Sequence, residues 1–475
     1  AELITEEGLV EDEIKHNAKL YPRNAELRKV NYKKVPRDAT GAINLHRPHI
    51  DKIVLKDSEG NDMKLIGDVF DCWFESGSMP FAQLHYPFEN VEVFNQNFPA
   101  DFIAEGVDQT RGWFYSLLNV GVGLFDKTPF KHVIVNGHVL AKGGEKLSKS
   151  LKNYTDPMIL VEKFGADAMR YALVNSPAMR GEAVEFPDTL PEEAYKKNIQ
   201  RLENVLDFYN MYKKGEVVAH TDSNNVLDRW VIERLHEVIN RSVDGYEAYK
   251  LDEAVSGVDV FIDDFSTWYL RRSRERLKDG DVDAMSTMKY VFVEFAKCIA
   301  PVMPFLAERL YQDVMSTRDS VHLQSYPEKR DVNQKVLDEM RDVREQVTSL
   351  LMIRQKNNMP VRQPLSMATI NKNINEKYFE VIMEEVNVKA VQIDEDCDGP
   401  ELDLSLDENL IREGRQRELS REIKDRRKEL GLVAGDDIVL FIDTDRHDLV
   451  DDEYRREMKI CEVHVSEDLI VEKAN

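Results

Sequence analysis

The chain has 475 residues, of which 42% are hydrophobic and 32% are charged, and its formal net charge is −24. At ~100–200 residues per domain this length predicts about three domains, which excludes a single compact fold. The composition is that of a soluble globular protein without a membrane span. With this acidic balance, a general affinity for nucleic acid cannot be argued from composition, so any contact with RNA has to be local.

The four cysteines, Cys72, Cys298, Cys397 and Cys461, lie far apart and form no C-x-x-C pair. This spacing supports neither a zinc knuckle nor a disulfide framework, and it fits a reducing cytoplasm. The first residues carry neither a basic leader nor an apolar signal core, which predicts a cytoplasmic protein. They also lack an initiator Met, so we expect a part of a longer protein.

The first 186 residues predict an α/β layer. Residues 1–60 read as a peripheral insertion, with a strand at Ile53 to Leu55. From about residue 66 onward, glycines and prolines separate short elements, and Val133 to Val135 is a β-branched run that suits a buried parallel strand. Alternating strands and helices of this kind predict the α/β arrangement.

After Pro187 the pattern becomes helical. The four residues from Thr189 match a capping box, and apolar positions then recur at helical spacing as far as Tyr209. Further helices are predicted at about 226–249, 253–278, 284–316 and 331–356. Kinks are expected at Pro301 and Pro304. Four or five such helices predict a bundle.

Beyond Pro360 short strand candidates surround a charged helix at about 407–430, which predicts a small α+β region. The strands are predicted at Met367 to Ile370, Val388 to Ile393, Ile438 to Ile442 and Glu462 to Val471. The acidic stretch from Asp394 to Asp403 contains a Gly-Pro pair and is a linker candidate.

The strongest local signal is the loop Gly143-Gly144-Glu145-Lys146-Leu147-Ser148-Lys149-Ser150, which follows a strand-like stretch. Its glycines permit a mobile backbone, its lysines place positive charge at i and i+3, and its serines add hydroxyl donors. This combination suits a developing pyrophosphate charge. Alone, such a stretch is more often a solvated basic turn, because short motifs have many false positives.

Two upstream segments are also candidates for a functional site. Ala104 to Phe114 contains Glu105, Asp108 and Gln109, which can accept hydrogen bonds from an ammonium group or from ribose hydroxyls. The alternative is an ordinary polar helix N-terminus. Asp68 to Gln83 is rich in large apolar side chains, and by itself it is most simply a core strand.

Together these segments resemble the isoleucyl-tRNA synthetases, a class I aminoacyl-tRNA synthetase family. Val135 to Ala141 followed by Lys146 to Ser150 is similar to the KMSKS region, with Leu147 in place of Met. Ala104 to Phe114 is similar to E-G-x-D-Q-x-R-G-W-F. Asp68 to Gln83 resembles D-V-x-D-x-W-F-[DE]-S-G-S-M-P more closely than the corresponding valine or leucine enzyme segments.

The resemblance implies a loop that closes over ATP and a pocket with aromatic walls for an aliphatic side chain, which has to be recognised by shape. The implied site residues are Lys146 and Lys149 for catalysis; Lys149, Ser148, Ser150 and His138 for ATP; and Glu105, Gly106, Asp108, Gln109, Trp73 and Trp113 for the aminoacyl-adenylate. A lone histidine near a strand end is more often structural, so the role of His138 stays open.

In the helical region, Leu227 to Trp230 and Phe261 to Arg274 resemble the anticodon-binding bundle of the isoleucine, valine and leucine enzymes. The resemblance implies that arginines meet tRNA phosphates and that aromatic side chains meet unstacked bases. The implied tRNA-binding residues are Trp268, Arg271, Arg272 and Arg274. A cationic last turn is favoured by the helix dipole in any case, so a structural role is the alternative.

The resemblance implies a multidomain fold. Residues 1–186 would be the C-terminal half of a Rossmann-like α/β catalytic domain with the KMSKS loop, residues 187–330 an all-α anticodon-binding helical bundle, and residues 331–475 a C-terminal junction with a small α+β domain. The family's H-x-G-H motif, which helps bind ATP, does not occur in this sequence, and its zinc turn is replaced by Lys56 to Asp62.

We therefore expect a C-terminal fragment of an isoleucine–tRNA ligase that lacks the editing domain and is inactive alone. It would use ATP with Mg²⁺, with no zinc or other metal of its own. Its partners would be tRNA(Ile), isoleucine and ATP, with no membrane, and it would be a monomer. Two alternatives remain: a non-catalytic tRNA-binding or scaffold protein derived from a synthetase, and a valyl-type synthetase, which depends on how Trp73 and Trp113 are interpreted.

Overall fold

A computed structural model describes residues 61, 68–69, 71–148, 150–433 and 435–474 of the chain. The strand predicted at Ile53 and the turn at Lys56 to Asp62 lie outside these residues, apart from Asn61. Two compact units are distinguished by their internal contacts, and each is described by itself. The first contains the described residues up to Leu140 together with Pro177–Glu185, and the second contains Ala141–Ser176 and the chain from Phe186 onward.

The first unit combines α-helices with β-strands. In chain order its elements are α1 (Cys72–Gly77), α2 (Met79–Ala82), α3 (Val91–Asn97), β1 (Ala100–Gly106), α4 (Trp113–Phe125), β2 (Phe130–Asn136), β3 (Val139–Leu140) and β4 (Val184–Glu185). Short 3₁₀ turns occupy Val107–Arg111 and Pro177–Arg180. The pairs β1–β2 and β3–β4 are both parallel.

The predicted parallel strand at Val133 to Val135 is confirmed as part of β2. The prediction that this strand is buried is wrong for one of its faces. Ile134 is buried, whereas Val133 is 41% exposed. The core-strand alternative for Asp68 to Gln83 is also wrong. Asp71 accepts hydrogen bonds from the backbone N–H groups of Trp73 and Phe74, and this N-cap starts helix α1 instead.

The second unit is mainly helical. Its helices up to residue 356 are α5 (Pro157–Phe164), α6 (Ala166–Val174), α7 (Thr189–Ala194), α8 (Gln200–Tyr212), α9 (Val226–Glu247), α10 (Leu251–Val255), α11 (Val258–Asp263), α12 (Arg271–Asp279), α13 (Val282–Ile299), α14 (Pro304–Met315) and α15 (Gln334–Lys356). A π-helical segment, Tyr195–Ile199, joins α7 to α8, and a second, Asp264–Leu270, joins α11 to α12.

The long helices agree with the predicted ones, but two local predictions are wrong. Thr189 is the first residue of α7, and Asp188 stands at the N-cap, so the capping box does not form. The carboxylate of Asp188 accepts a hydrogen bond from the hydroxyl of Thr155 instead. Pro301 and Pro304 mark a complete break between α13 and α14 rather than kinks, because α14 restarts with Pro304 in its first turn.

The C-terminal part is α+β, as predicted. Its elements are β5 (Leu365–Ile370), α16 (Phe379–Val386), β6 (Val388–Ile393), β7 (Glu401–Leu402), α17 (Glu408–Glu429), β8 (Ile438–Ile442), α18 (Thr444–His447), α19 (Asp452–Glu457), β9 (Ile460–Val465) and β10 (Ile470–Lys473). One sheet has the order β6-β5-β7 and the other β10-β8-β9. The single strand predicted at Glu462 to Val471 is therefore two strands, and the linker candidate contributes β7.

Two hydrophobic cores lie within the second unit. The larger one runs from Leu160 to Val388, so helices and the strands β5 and β6 share it. The smaller one, from Leu419 to Val471, belongs to α17 and the sheet around β8. The predicted division into three domains stays a prediction. Within the described part of the chain, no helix is long and apolar enough to cross a membrane.

A buried carboxylate, Asp228, anchors the helical bundle. It accepts hydrogen bonds from both Nη atoms of Arg276 (2.9 and 2.8 Å), from the hydroxyl of Tyr269 (2.8 Å) and from that of Ser223 (2.7 Å). Burial raises the pKa of the Tyr269 hydroxyl, which therefore stays a donor to this carboxylate. The Leu227 to Trp230 motif thus has a structural explanation: its carboxylate joins α9 to α12.

Candidate functional site

The carboxyl ends of β1 and β2 bring two of the predicted segments to one edge. β1 ends at Glu105 and Gly106, and β2 ends at Asn136, directly before Gly137 and His138. Gly106 pairs with Asn136 at this edge. Ligands of parallel α/β sheets bind outside the carboxyl ends of the strands. The edge is therefore the candidate functional site of the first unit, and Glu105 and His138 are exposed on it.

Gly137 fixes the chain at this edge through a close contact that the sequence analysis missed. Its N–H donates to the carbonyl oxygen of Ala178 (2.7 Å), and the next carbonyl, that of His138, accepts from Val184 N–H (2.9 Å). A Cβ atom on Gly137 would lie 1.7 Å from the carbonyl oxygen of Glu182. The segment 177–185, which we name the strap, therefore packs against the edge beside His138. Only glycine at position 137 allows it to approach so closely.

The other residues predicted to bind the adenylate surround the start of α4. The carboxamide oxygen of Gln109 accepts from the backbone N–H of Trp113 (2.9 Å), and its Nε2 donates to Asp108 (3.2 Å). Gln109 thus caps α4, as the alternative reading of this segment proposed. Asp108 is exposed. A Cβ on Gly106 would lie 2.6 Å from a carboxylate oxygen of Asp108, so this exposed side chain would have to move to admit it.

The two predicted pocket tryptophans lie close together in the first unit. The indole N–H of Trp113 donates to the carbonyl oxygen of Ser76 on α1 (3.2 Å). The ring of Trp73 packs against Gly112, where a Cβ would lie 2.8 Å from its Cη2 atom. Trp73 is 47% exposed and Trp113 is half-buried. Both rings thus flank the N-terminus of α4 and have surface left for a ligand.

The lysine loop belongs to the second unit, and its backbone is held by a residue outside the eight-residue motif. The side chain of Asn153 accepts from Ser148 N–H (2.9 Å) and donates to the carbonyl oxygen of Lys146 (3.1 Å). Gly143 and Gly144 both have positive φ, and the hydroxyls of Ser148 and Ser150 lie 2.8 Å apart. The hydrogen bonds of Asn153 leave the side chain of Lys146 exposed. Lys149 lies outside the described residues.

The helices that follow the loop are joined to the helical bundle. Asp167 on α6 accepts from the backbone N–H groups of Leu306 (2.7 Å) and Phe305 (3.4 Å), in the first turn of α14. Arg170 donates to the carbonyl oxygens of Val302 and Pro301 in the break before α14. Burial raises the pKa of the Asp167 carboxyl. These contacts, which we name the α6 clasp, fix α6 to the α13–α14 break.

The predicted tRNA-binding residues are placed largely in internal contacts. Trp268 is only 9% exposed. Arg271 donates to the carboxylate of Glu385 on α16 (2.7 Å), and Arg272 pairs with both Glu385 (3.1 Å) and Glu384. Arg274 is exposed, with its guanidinium 5.2 Å from the ring centre of Phe208. Their role in binding tRNA stays a prediction.

Among the residues that the structure describes, no group of three or more His, Cys, Asp or Glu side chains could hold a metal ion. The cysteines described are all free thiols, and Cys298 is buried.

Two stretches of the chain match known families. The family described as "tRNA synthetases class I (I, L, M and V)" matches residues 15–185, and "Anticodon-binding domain of tRNA ligase" matches residues 228–369. Residues 15–185 are thus similar to class I tRNA synthetases, and residues 228–369 to their anticodon-binding domain.

Sequence relatives give the more specific assignment. The isoleucine–tRNA ligase of Chlamydia trachomatis serovar D is 41% identical over 369 residues, which are 74% of this chain and 35% of that protein. The isoleucine–tRNA ligase of Protochlamydia amoebophila is 39% identical over 368 residues, 73% of this chain and 35% of the relative. Over about three quarters of its length the chain is therefore homologous to isoleucine–tRNA ligases, and it spans about a third of the length of these relatives. The predicted resemblance is confirmed.

A solved structure is also similar. The ternary complex of Agrobacterium radiobacter K84 agnB2 LeuRS, tRNA and LeuAMS covers 58% of this chain and 35% of that chain, with 20% identity and a TM-score of 0.46.

Proposed function

We propose that this chain takes part in the isoleucine–tRNA ligase reaction, in which isoleucine is activated with ATP and then transferred to tRNA(Ile). The observation that carries the proposal is the shared edge of β1 and β2, where Glu105 and Gly106 end one strand and His138 follows the other. The relatives supply the name of the activity.

At this edge, Glu105 is an exposed carboxylate suited to accept from the ammonium group of the amino acid. Trp73 and Trp113 present flat apolar surface for its aliphatic side chain. A missing methylene is worth only ~1–3 kcal/mol in such a pocket, so isoleucine would be preferred over valine by a limited factor. His138, exposed on the same edge, is our candidate for the contact with adenine.

The loop provides the phosphate chemistry of the proposal. As the carboxylate of isoleucine attacks the α-phosphate of ATP, negative charge builds up on the departing pyrophosphate. Lys146 and Lys149 would stabilise that charge, assisted by the hydroxyls of Ser148 and Ser150. Asn153 holds the loop backbone and leaves the Lys146 side chain exposed. ATP would enter as its Mg²⁺ complex. We further propose that the protein is a cytoplasmic monomer.

Binding of a non-hydrolysable isoleucyl-adenylate analogue, measured by calorimetry, tests this proposal. The chain is expected to bind the isoleucyl analogue more tightly than the valyl analogue. Glu105→Gln should weaken binding by about 1.5–3 kcal/mol, the usual cost of losing a hydrogen bond to a charged group. Lys146→Ala should weaken it too, whereas Lys142→Ala, directly before the loop, and Glu92→Gln, on α3, should not.

The outcomes separate the alternatives. Tighter binding of the valyl analogue would favour a valyl-type enzyme. No binding of either analogue would contradict the proposed site and favour a tRNA-binding protein without catalysis. Isoleucine-dependent ATP–pyrophosphate exchange by the chain alone would refute our expectation that it is inactive by itself.

A further inference from the structure

An apolar groove lies beside the C-terminal end of α9 and shares no residue with the sites described above. Its apolar walls are Val243 and Tyr246 of α9, Pro301 in the break before α14, and the pair Tyr326 and Pro327. We name it the tyrosine groove. Its volume is about 620 Å³, within the usual ~300–1,000 Å³ of ligand-binding clefts. It is therefore large enough to hold several residues of a bound chain.

Two tyrosine rings form a right-angled corner of this groove. The ring centres of Tyr246 and Tyr326 lie 5.8 Å apart, and the ring planes are inclined at 88°. Both side chains are half-buried. The hydroxyl of Tyr326 donates to the carbonyl oxygen of Cys298 on α13 (3.0 Å) and is therefore already used inside the bundle. What Tyr326 offers to a ligand is thus its ring.

Prolines complete the apolar walls, with Pro301 exposed and Pro327 buried. Grooves lined by aromatic side chains are the usual docking sites of proline-rich segments. Such segments are already extended as polyproline II helices before they bind, so little further conformational entropy is lost. The composition of the tyrosine groove therefore matches a ligand of this kind.

Hydrogen bonds hold two of the groove's walls in place without a ligand. Arg170 donates to the carbonyl oxygen of Pro301 (2.8 Å). On the other side, the carboxamide of Asn240 donates to the carbonyl oxygen of Arg330 (2.7 Å) and accepts from its backbone N–H (2.9 Å), which ties the segment after Pro327 to α9. A site that is ordered in advance loses less entropy when it binds.

The charges around the groove select the type of ligand. Glu247 and Glu328 both line it and are exposed, and neither forms an ion pair with another described residue. The positive charge of Lys329 is paired with Asp244 (2.7 Å). The unpaired charge at the groove is therefore negative, which attracts a basic side chain and repels the phosphates of a nucleic acid.

We propose that the tyrosine groove binds a proline-rich segment of another protein, with an Arg or Lys next to its prolines. The prolines pack on the rings of Tyr246 and Tyr326, and the basic side chain pairs with Glu247 or Glu328. This interaction adds a protein partner to the molecule and does not depend on its proposed function in tRNA charging.

Fluorescence anisotropy of labelled peptides with the intact chain tests the proposal. One probe carries Arg before a run of about nine prolines, which is three turns of polyproline II helix, and a second carries Arg after the run. Two comparison peptides have no Arg or have alanines in place of the prolines. At least one Arg probe should bind saturably, the peptide without Arg more weakly, and the alanine peptide not at all.

Tyr246→Ala should weaken binding of the Arg probe by about 30-fold or more, as expected for a tyrosine at the centre of an interface. Tyr246→Phe keeps the ring and should bind like the wild type. Glu247→Gln and Glu328→Gln should each weaken binding of the Arg probe by about 2- to 5-fold, the range of an exposed ion pair. Neither should affect the peptide without Arg.

Tyr115→Ala is the matched control, because Tyr115 on α4 is a tyrosine that is 63% exposed and lies outside the groove. It should bind the probes like the wild type. Thermal melts check that all variants fold. The glutamate variants, at exposed positions, keep the test valid if Tyr246→Ala is unstable. Bound peptide should also slow hydrogen exchange in residues 243–248 and 323–330.

Three results would overturn the proposal. They are the absence of saturable binding of both Arg probes up to about 1 mM, equal binding of the alanine peptide, and unchanged binding by a folded Tyr246→Ala variant together with both glutamate variants. None of these results bears on tRNA charging, so the proposed function would stand in each case.

Discussion

The contacts of single residues explain which residue types occur in the motifs of this chain. Gly137 is required by the carbonyl oxygen of Glu182, and Asp228 is required by the donors of Arg276, Tyr269 and Ser223. Neither requirement involves a ligand. Residues within a functional motif can thus serve the backbone that presents the ligand-binding groups, and the two kinds of role are separated by what each atom contacts.

Gly137→Ala should destabilise the first unit by about 1–3 kcal/mol or more, because its Cβ would overlap the backbone of the strap 177–185. Hydrogen exchange of β1 and β2 at increasing urea concentration measures the change. Gly123→Ala is the control: nothing lies within 4 Å of a Cβ there, and Ala is favoured over Gly in a helix by about 0.5–1 kcal/mol. Equal stability of the two variants would contradict the close contact.

Asp228→Asn should cost about 3–5 kcal/mol in the free energy of unfolding, because it leaves the guanidinium of Arg276 without its buried charge partner. Arg276 would keep only Asp281. Glu275→Gln removes an exposed carboxylate paired with Lys278 on the same helix, and it should change stability by no more than about 1 kcal/mol. Chemical denaturation monitored by helical circular dichroism compares the two.

At the scale of elements, the chain uses side chains to satisfy helix ends and breaks. The break between α13 and α14 exposes carbonyl oxygens before Pro304 and N–H groups after it, and the α6 clasp satisfies both sets with Arg170 and Asp167. The clasp therefore couples the helices that follow the lysine loop to the bundle. Arg354 works in a similar way on α15, where it donates to three loop carbonyls, those of Pro360, Gln363 and Asn387.

Asp167→Ala should destabilise the chain by about 1–2 kcal/mol, because the buried N–H of Leu306 loses its acceptor. Asp167→Asn keeps an acceptor oxygen and should cost less. The raised pKa of Asp167 means that the folded state holds the proton at pH values where the unfolded chain has released it. The contribution of this carboxyl to stability therefore falls as the pH rises from the unfolded pKa through the folded one.

The stability difference between wild type and Asp167→Asn, measured by denaturation at several pH values, isolates this effect. The wild type should lose stability relative to the Asn variant across that pH window. A constant difference over the whole range would show that the pKa of Asp167 is not raised.

At the scale of the whole molecule, the second unit combines two hydrophobic cores, one shared by the helical bundle and β5–β6 and one around β8. Leu310 and Leu440 are both fully buried, one in each core. A Leu→Ala change in either core should cost about 2–5 kcal/mol. Because each core stabilises its own elements, the effects should be local.

Leu440→Ala is expected to lower hydrogen-exchange protection in β8, β9 and β10 while leaving α9 and α13 protected. Leu310→Ala should do the reverse. Loss of protection in all these elements in both variants would show that the two cores unfold together.

Much of this molecule could be predicted from sequence, for reasons that differ between elements. The long helices and β6 and β8 follow from hydrophobic periodicity, and the family followed from long motifs in the right order. The strap 177–185, the clasp at Asp167 and the π segments could not be predicted, because they depend on contacts between distant residues. Trp268, Arg271 and Arg272 were predicted from the same motif as a surface. Packing against α15 and α16 buries most of Trp268 and Arg272, whereas Arg271 stays exposed and pairs with Glu385.

The most direct test of the central claim, that this chain serves the charging of tRNA(Ile), is the competition of tRNA(Ile) and tRNA(Val) transcripts for the intact chain at one fixed salt concentration. Salt has to be fixed because phosphate contacts depend steeply on it. Our account predicts saturable binding with a preference for tRNA(Ile). Equal affinity for the two transcripts, or no binding of either, would contradict it.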